Sequence, residues 1–379
     1  MIPSLMNLLA TRTDAMVSAI EQLVSHESPS RDKAALDALA DTITGRFERI
    51  GASVERLDNP IGGDHLRIRS GSETADSRPA LILGHFDTVW PIGTLRNMPF
   101  RVEEGCAYGP GVFDMKSSLV IVEFALSALK NLGIPIARPV ELLLTSDEEI
   151  GSPTSRRLIE AAAQESAYVL VLEPPLSGNR FKTARKGVGG FILEITGKAA
   201  HAGVEPGKGV NAILELAHQI LKIHALADSK AGTTLNVGVV QGGTTPNVVP
   251  ASATASIDAR ASTLAEAKRI EEGLARLIPV LPGATLTISG GFNRPPMERT
   301  TGVASLYQRA RVIGLSMGLD LGEGSTGGGS DGNFTAALGV PTLDGLGVPG
   351  EGAHASNEHI LIPSLPERAA LLAALLMEL

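Results

Sequence analysis

The chain has 379 residues, 43% of them hydrophobic and 20% charged, which describes an ordered globular protein too long for one compact core, so two domains are expected. A net charge of −8 with no Lys/Arg cluster speaks against nucleic acid and against an anionic membrane surface as partners. The single cysteine, Cys106, rules out a disulfide framework and a thiolate metal site, so any metal must be held by His, Asp and Glu. The N-terminus shows no basic n-region, long apolar h-region or cleavage site, and no apolar run reaches membrane-spanning length; the expected location is the cytoplasm.

In chain order, Met16, Ile20, Leu23 and Val24 form a helical stripe with Thr13 as its expected N-cap. Leu36, Leu39, Ile43, Phe47 and Ile50 form a second stripe, closed by Gly51 at a C′ position. Between them "SHESPS" (25–30) reads as a turn-rich connector. Apolar runs at 81–84, 140–145 and 168–173 then alternate with helical stretches at 115–133 and 152–164, which predicts an α/β domain with a mostly parallel sheet.

From Gly187 the texture changes to strands of alternating apolar and polar residues, with helical stretches at 211–226 and 263–278 between them. Strand, helix, two strands, helix, strand is a ferredoxin-like plan. Beyond "NRPP" (293–296) the α/β character resumes. The expectation is an α/β catalytic domain, 1–186 and 294–379, interrupted by an inserted α+β domain, 187–293.

Ligands of open α/β sheets gather at the carboxyl ends of the parallel strands. Three of the expected strands deliver His85 and Asp87, then Asp147, Glu148 and Glu149, then Glu173. Asp114 follows a glycine-rich turn and opens a helix, and His354 lies in a loop of small residues near the C-terminus. Taken singly, each has a plain reading as a helix cap, a solvated acidic turn or a surface histidine. Taken together, so many carboxylates at converging ends would repel one another without a cation. Imidazole and carboxylate donors suit zinc, cobalt or manganese, and an O/N site for two divalent ions is a recurring hydrolase design. Two dications, three ligand carboxylates and one bridging hydroxide sum to zero charge.

The segments "GHFDTVW", "YGPGVFDMKSS", "TSDEEIGS", "LEPP", "GKAAHAG", "TPNVVPASATASIDAR", "STGGGSD" and "GVPGEGAHASNEHI" resemble, in order and spelling, the dinuclear-zinc aminoacylase/glutamate carboxypeptidase family of metallopeptidases. Within that family the chain looks most like the bacterial folate-cleaving glutamate carboxypeptidases. The resemblance runs from about Ser25 to the C-terminus and implies a zinc-peptidase-like catalytic domain interrupted by a lid that also forms a homodimer. It implies two Zn²⁺ per subunit, with Co²⁺ or Mn²⁺ as substitutes. His85 and Glu173 would hold one ion and Glu149 and His354 the other, with Asp114 bridging both. Asp87 would orient the ligand histidine, and Glu148 would be the general base acting on the metal-bridging hydroxide. His201 would stabilise the oxyanion in the partner subunit's site. Asn247 and Arg260 would contact the substrate, Arg260 pairing its free carboxylate, with Gly328 and Gly329 in a backbone loop beside it.

Departures from the pattern bear on substrate. Arg185-Lys186 stands where the relatives carry Thr-Ser, Arg180 aligns with a lysine that helps bind a glutamate side chain, and Lys182 replaces a small hydroxyl residue. "STGGGSDG" lacks the Lys-Ser/Thr of a P-loop. His218 and His224 read as helix-surface or packing residues, while His26, His65 and His359 have no convergent partners.

The expected function is therefore a zinc-dependent metallocarboxypeptidase or amidohydrolase acting on a small molecule with a free α-carboxylate and releasing a C-terminal amino acid, glutamate foremost. The alternatives are an N-acyl-amino-acid deacylase of acetylornithine or succinyl-diaminopimelate type, or a non-catalytic binding protein on the same scaffold. Retention of Glu148 argues against the last.

Overall fold

The computed structural model describes residues 1–71 and 77–379. It divides into two compact units, one of Met1–Thr183, Arg299–Thr326 and Ser330–Leu379, the other of Ala184–Glu298 with Gly327–Gly329.

The first unit is built on an eight-stranded sheet, in spatial order Ser53–Leu57, His65–Ser70, Val140–Thr145, Ala80–His85, Tyr168–Val171, Thr342–Asp344, Phe181–Arg185 and Glu323–Thr326. Its central four strands are parallel, with Ala80–His85 between Val140–Thr145 and Tyr168–Val171. The run 80–85 is apolar at nearly every position because both faces of the sheet are covered. Leu81 and Leu83 enter a cluster with Ile159, Ala163 and Phe334, whereas Ile82 enters the main core with Leu119 and Leu372. The first cluster draws on helix Arg156–Glu165; the second draws on helices Ser117–Asn131 and Ser364–Glu378.

Antiparallel strands flank this parallel centre, which the three apolar runs did not announce. Ser53–Leu57 is half exposed and rich in charge, so it carries no buried-strand signature. A small antiparallel sheet of Gly350–Glu351, His359–Leu361, Cys106–Tyr108 and Arg101–Glu103 was likewise not foreseen, its strands being three residues or fewer. An additional helix, Ile2–Ala10, buries Leu5 and Leu9. Thr13 is the first residue of helix Thr13–Val24 rather than its cap, and its hydroxyl donates to the Ala10 carbonyl. Gly51 closes helix Lys33–Arg49 as expected, in a left-handed conformation at φ 85°.

The second unit is a four-stranded antiparallel sheet, in order Thr234–Gly242, Ser252–Ala261, Gly187–Thr196 and Thr285–Arg294, with helices Ala212–His224 and Leu264–Ala275. Alternate residues of Gly187–Thr196 are buried, and Leu193 and Ile195 pack with Leu216, Ile223, Ile257 and Ile270. The connectivity is the ferredoxin-like one read from the sequence. No helix among the described residues is long and apolar enough to cross a membrane.

Candidate metal centre

Strand Ala80–His85 ends on a histidine that is 1% exposed. His85 Nε2 lies 3.2 Å from Asp114 Oδ1 and 3.7 Å from Glu173 Oε1. His354 Nε2 lies 3.5 Å from Asp114 Oδ2 and 3.2 Å from Glu149 Oε2. Asp114 therefore shows one carboxylate oxygen to each imidazole, and each imidazole has a second carboxylate of its own. Ligand atoms of His85, Glu148 and Glu173 fall within 4.8 Å of one another, as do those of His85, Asp114 and Glu149.

The electrostatics show what this cluster asks for. Burial disfavours a charged His85, yet Asp114, Asp87 and Glu173 together push its pKa well above the ordinary imidazole value. Asp114 and Glu149 raise His354 to about 10. Burial works to raise Asp114, but His354 and His85 hold it well below the usual carboxylate range, while burial pushes Glu149 up. With protons alone, the cluster must bind them far outside their normal range to balance its carboxylates. Divalent cations supply that charge directly, and the oxygen and nitrogen donors match zinc, cobalt or manganese.

Asp87 is fully buried behind His85. His85 Nδ1 sits 3.1 Å from the Asp87 carbonyl oxygen and 3.4 Å from its Oδ1. The Asp87 carboxylate also accepts hydrogen bonds from Glu148 N and Glu149 N, both 3.2 Å, and from Ser30 Oγ at 2.7 Å. Asp87 thus holds the ring of His85, through its carbonyl and carboxylate, and the backbone of Glu148 and Glu149. The connector 25–30 is consequently more than a turn: Ser28 donates to the Phe86 carbonyl, and buried Lys116 donates to the His26 carbonyl. Burial pushes Lys116 down to about 7, against the attraction of Glu358 and Glu27.

The acids of "DEE" divide by role. Asp147 accepts from Thr154 N and Oγ1 and from Ser155 N and Oγ, which organises the entry to helix Arg156–Glu165. Glu148 and Glu149 occupy the turn that follows. His65, read from sequence as having no convergent partners, is buried and bonds Thr154 Oγ1 through Nε2, while Nδ1 accepts from Ser146 N. Asp114 lies in an irregular turn, Val112–Lys116, whose amides are gathered by the carboxylate of Glu358. Arg180 does not join the cluster: it is exposed, donates to the Ser177 carbonyl and lies along Gly322.

In the second unit, His201 Nδ1 accepts from Gly203 N and Val204 N, both at 3.1 Å, which leaves Nε2 to carry the ring proton. His201 pairs with Val248, and Ala202 N donates to the Asn247 carbonyl, so His201 and Asn247 share one corner. Arg260 grips Asp258 through Nε and Nη2 and approaches the Gly327 carbonyl through Nη1. Buried Arg185 donates to the carbonyls of Gly328 and Gly329.

A model of peptidase family M20/M25/M40 matches residues 81–378, which is most of the chain. The chain belongs to this family. M20 membership makes it a metal-dependent hydrolase of amide bonds acting on small peptide or acylamino-acid substrates. It is 32% identical over 380 residues to carboxypeptidase G2 of Pseudomonas sp. strain RS-16, covering 96% of this chain and 89% of the relative. It is 28% identical over 375 residues to succinyl-diaminopimelate desuccinylase of Acidovorax ebreus, covering 90% and 92%. Among solved structures, the aminopeptidase PepT of Bacillus cereus superposes with a TM-score of 0.79 at 24% identity, covering 97% of this chain and 98% of that one. An M20 family metallo-carboxypeptidase of Sulfolobus solfataricus gives 0.73 at 18%, covering 96% and 98%. These structural likenesses establish the shared fold.

Sequence reading passed over Ser30, His65, Asp258 and Glu358. Glu358 stood in the "NEH" of a recognised segment and Ser30 in a dismissed connector; each acts through backbone or buried partners that spacing alone does not reveal.

Proposed function

We propose that the protein is a zinc-dependent carboxypeptidase that hydrolyses an amide whose leaving amine is an α-amino acid with a free carboxylate, glutamate foremost. The observation that carries the metal assignment is Asp114, whose two oxygens face two different imidazoles. His85 and Glu173 would hold one divalent ion, Glu149 and His354 the other, and Asp114 both. When bound, such ions lower the pKa of water at the site and polarise the scissile carbonyl. Asp87 holds the His85 ring and, through the Glu148 and Glu149 amides, sets the base beside the ligand. Glu148 takes the proton of the attacking water and passes it to the leaving amine, which departs neutral as the C–N bond breaks. His201 donates from Nε2 to the developing oxyanion of a partner subunit's substrate; its Nδ1, already engaged by two amides, supports that tautomer. Arg260 pairs the α-carboxylate, with Asn247, Gly328 and Gly329 completing the contacts and Arg180 toward a side-chain carboxylate.

The inserted unit serves as lid and dimerisation domain, 187–293, on a catalytic domain of 1–186 and 294–379, in a cytoplasmic homodimer. Resemblance to carboxypeptidase G2 supports release of a C-terminal amino acid. Resemblance to the desuccinylases supports the second reading, a deacylase sharing the same metal centre. Zinc-loaded enzyme assayed against N-acyl-glutamates, folates, acetylornithine and succinyl-diaminopimelate separates them. Highest kcat/KM on an N-acyl-glutamate or folate is expected, and highest kcat/KM on either of the last two overturns the carboxypeptidase reading.

A further inference from the structure

Glu358 belongs to none of the roles above, yet it is 1% exposed and its carboxylate is fully occupied. Oε1 accepts from Phe113 N at 2.9 Å and Asp114 N at 3.1 Å, and Oε2 accepts from Gly111 N at 3.0 Å and Trp90 Nε1 at 2.8 Å. Each oxygen accepts from two N–H donors, a pairing that uses the carboxylate as acceptor on both sides. A neutral amide of the same size would turn its NH₂ group toward N–H donors and orphan them.

The turn that Glu358 gathers is not regular secondary structure. Asp114 and Met115 leave helical geometry inside Val112–Lys116, so the usual ladder does not satisfy these amides. Glu358 does so from a segment distant in the chain. It sits four residues after His354 in a tight loop, closed by Ala355 N to the Gly352 carbonyl and Glu358 N to the Ala355 carbonyl. Its own carbonyl accepts from Gly109 N, which ties the same two segments a second time.

We infer that Glu358 is a positioning residue for the metal centre: by holding the amide of Asp114 while anchoring the loop of His354, it sets the separation of these two side chains across one cation position. This rests on the reading of Asp114 and His354 as metal ligands. A second consequence follows from Trp90, the only tryptophan in the chain. Its indole N–H shares Oε2 with Gly111 N, so displacement of the Asp114 turn on metal binding reaches the indole through a single carboxylate.

The test uses full-length enzyme and Zn²⁺ itself. Metal-depleted wild-type protein, titrated with Zn²⁺, is expected to change its tryptophan emission as ions bind. Glu358→Gln should bind the ion at Asp114 and His354 ~10–100-fold more weakly, as loss of a partner behind a ligand typically does. Its emission should no longer respond to zinc; its metal-free thermal midpoint should fall, because buried amides lose their acceptor, while its far-ultraviolet spectrum stays close to wild type. Glu358→Asp, which keeps the charge but shortens the reach, should recover part of the affinity. If Glu358→Gln binds both ions with wild-type affinity, the inference is overturned. If that variant does not fold, the wild-type titration still decides, because an emission that ignores zinc binding also overturns it. If the wild-type enzyme binds no zinc at all, it is the metal assignment that fails.

Discussion

Removing the hydroxyl of Ser30 tests whether the connector 25–30 is part of the catalytic apparatus. Ser30 Oγ donates to Asp87 Oδ2 at 2.7 Å, shorter than the 3.2 Å bonds from Glu148 N and Glu149 N to the same carboxylate. Donor and acceptor are both buried, at 8% and 0% exposure, so bulk water does not freely replace the lost partner. A hydrogen bond to a buried charge contributes about 1.5–3 kcal/mol. If that loss falls wholly on holding Glu148 for proton transfer, Ser30→Ala lowers kcat by ~10- to ~150-fold, at 1.36 kcal/mol per decade. If it falls on folding, the denaturation midpoint drops and kcat does not. The account predicts mainly the first, because Asp87 is joined directly to the amides of both acids. The assay is kcat and KM for Ser30→Ala and Ser30→Thr with metal content held equal, alongside urea denaturation. Threonine, which retains the hydroxyl, should recover most of the rate. A Ser30→Ala enzyme with kcat within about twofold of wild type and unaltered stability would refute the reasoning.

Acid stability should depend on Asp64. Burial tends to raise its pKa, but Lys33, the Asn59 amide and Arg56 outweigh that and lower it to about 2. A carboxylate depressed from an unfolded value near ~3.9 stabilises the fold above pH ~4, and that stability is lost as pH falls toward ~2. Partly exposed Lys33 and Arg56 trim the effect to about 1–2 kcal/mol. Denaturation of Asp64→Asn should therefore show a flatter acid limb than wild type; parallel limbs would contradict the ion pairing. Arg260→Ala should raise KM for a free-acid substrate ~10- to 100-fold while sparing its C-terminal amide; equal losses on both would assign the arginine a structural role with Asp258. His201→Ala should lower kcat by ~10²–10³-fold with metal retained. Mixing its subunits with Glu148→Gln subunits should restore activity if His201 acts in the partner's site; inactive mixtures that have demonstrably exchanged would place it in its own chain.

Three strands of the parallel centre and the inserted ferredoxin-like unit were legible in the sequence because burial marks those strands, whereas the short fourth parallel strand, Thr342–Asp344, was not read. Leu81, Ile82 and Leu83 read as buried on both sides, and Gly187–Thr196 as buried on one. The antiparallel margins were not legible: Ser53–Leu57 is short, charged and half exposed, and its register comes from pairing with His65–Ser70. At the site, His85, Glu148, Glu149 and Glu173 were visible at strand ends, Asp114 after a glycine-rich turn and His354 in a loop of small residues. What sequence could not separate was the work of neighbours: Asp147 binds the start of a helix, whereas Glu148 and Glu149 turn toward the cluster. Arg260 was visible as a cation, but its clasp on Asp258, two residues away on the same strand face, appears only once the strand is built.

The most direct measurement pairs metal content with turnover in two variants of adjacent residues. Glu148→Gln removes the proposed base and keeps the size, so the account predicts two zinc ions per chain with kcat lower by at least ~10²-fold. Glu149→Gln removes a proposed ligand and should leave about one ion, with activity partly restored by excess metal. Equal loss of metal from both variants, or full turnover of Glu148→Gln, would contradict the division of these two carboxylates between proton transfer and metal binding.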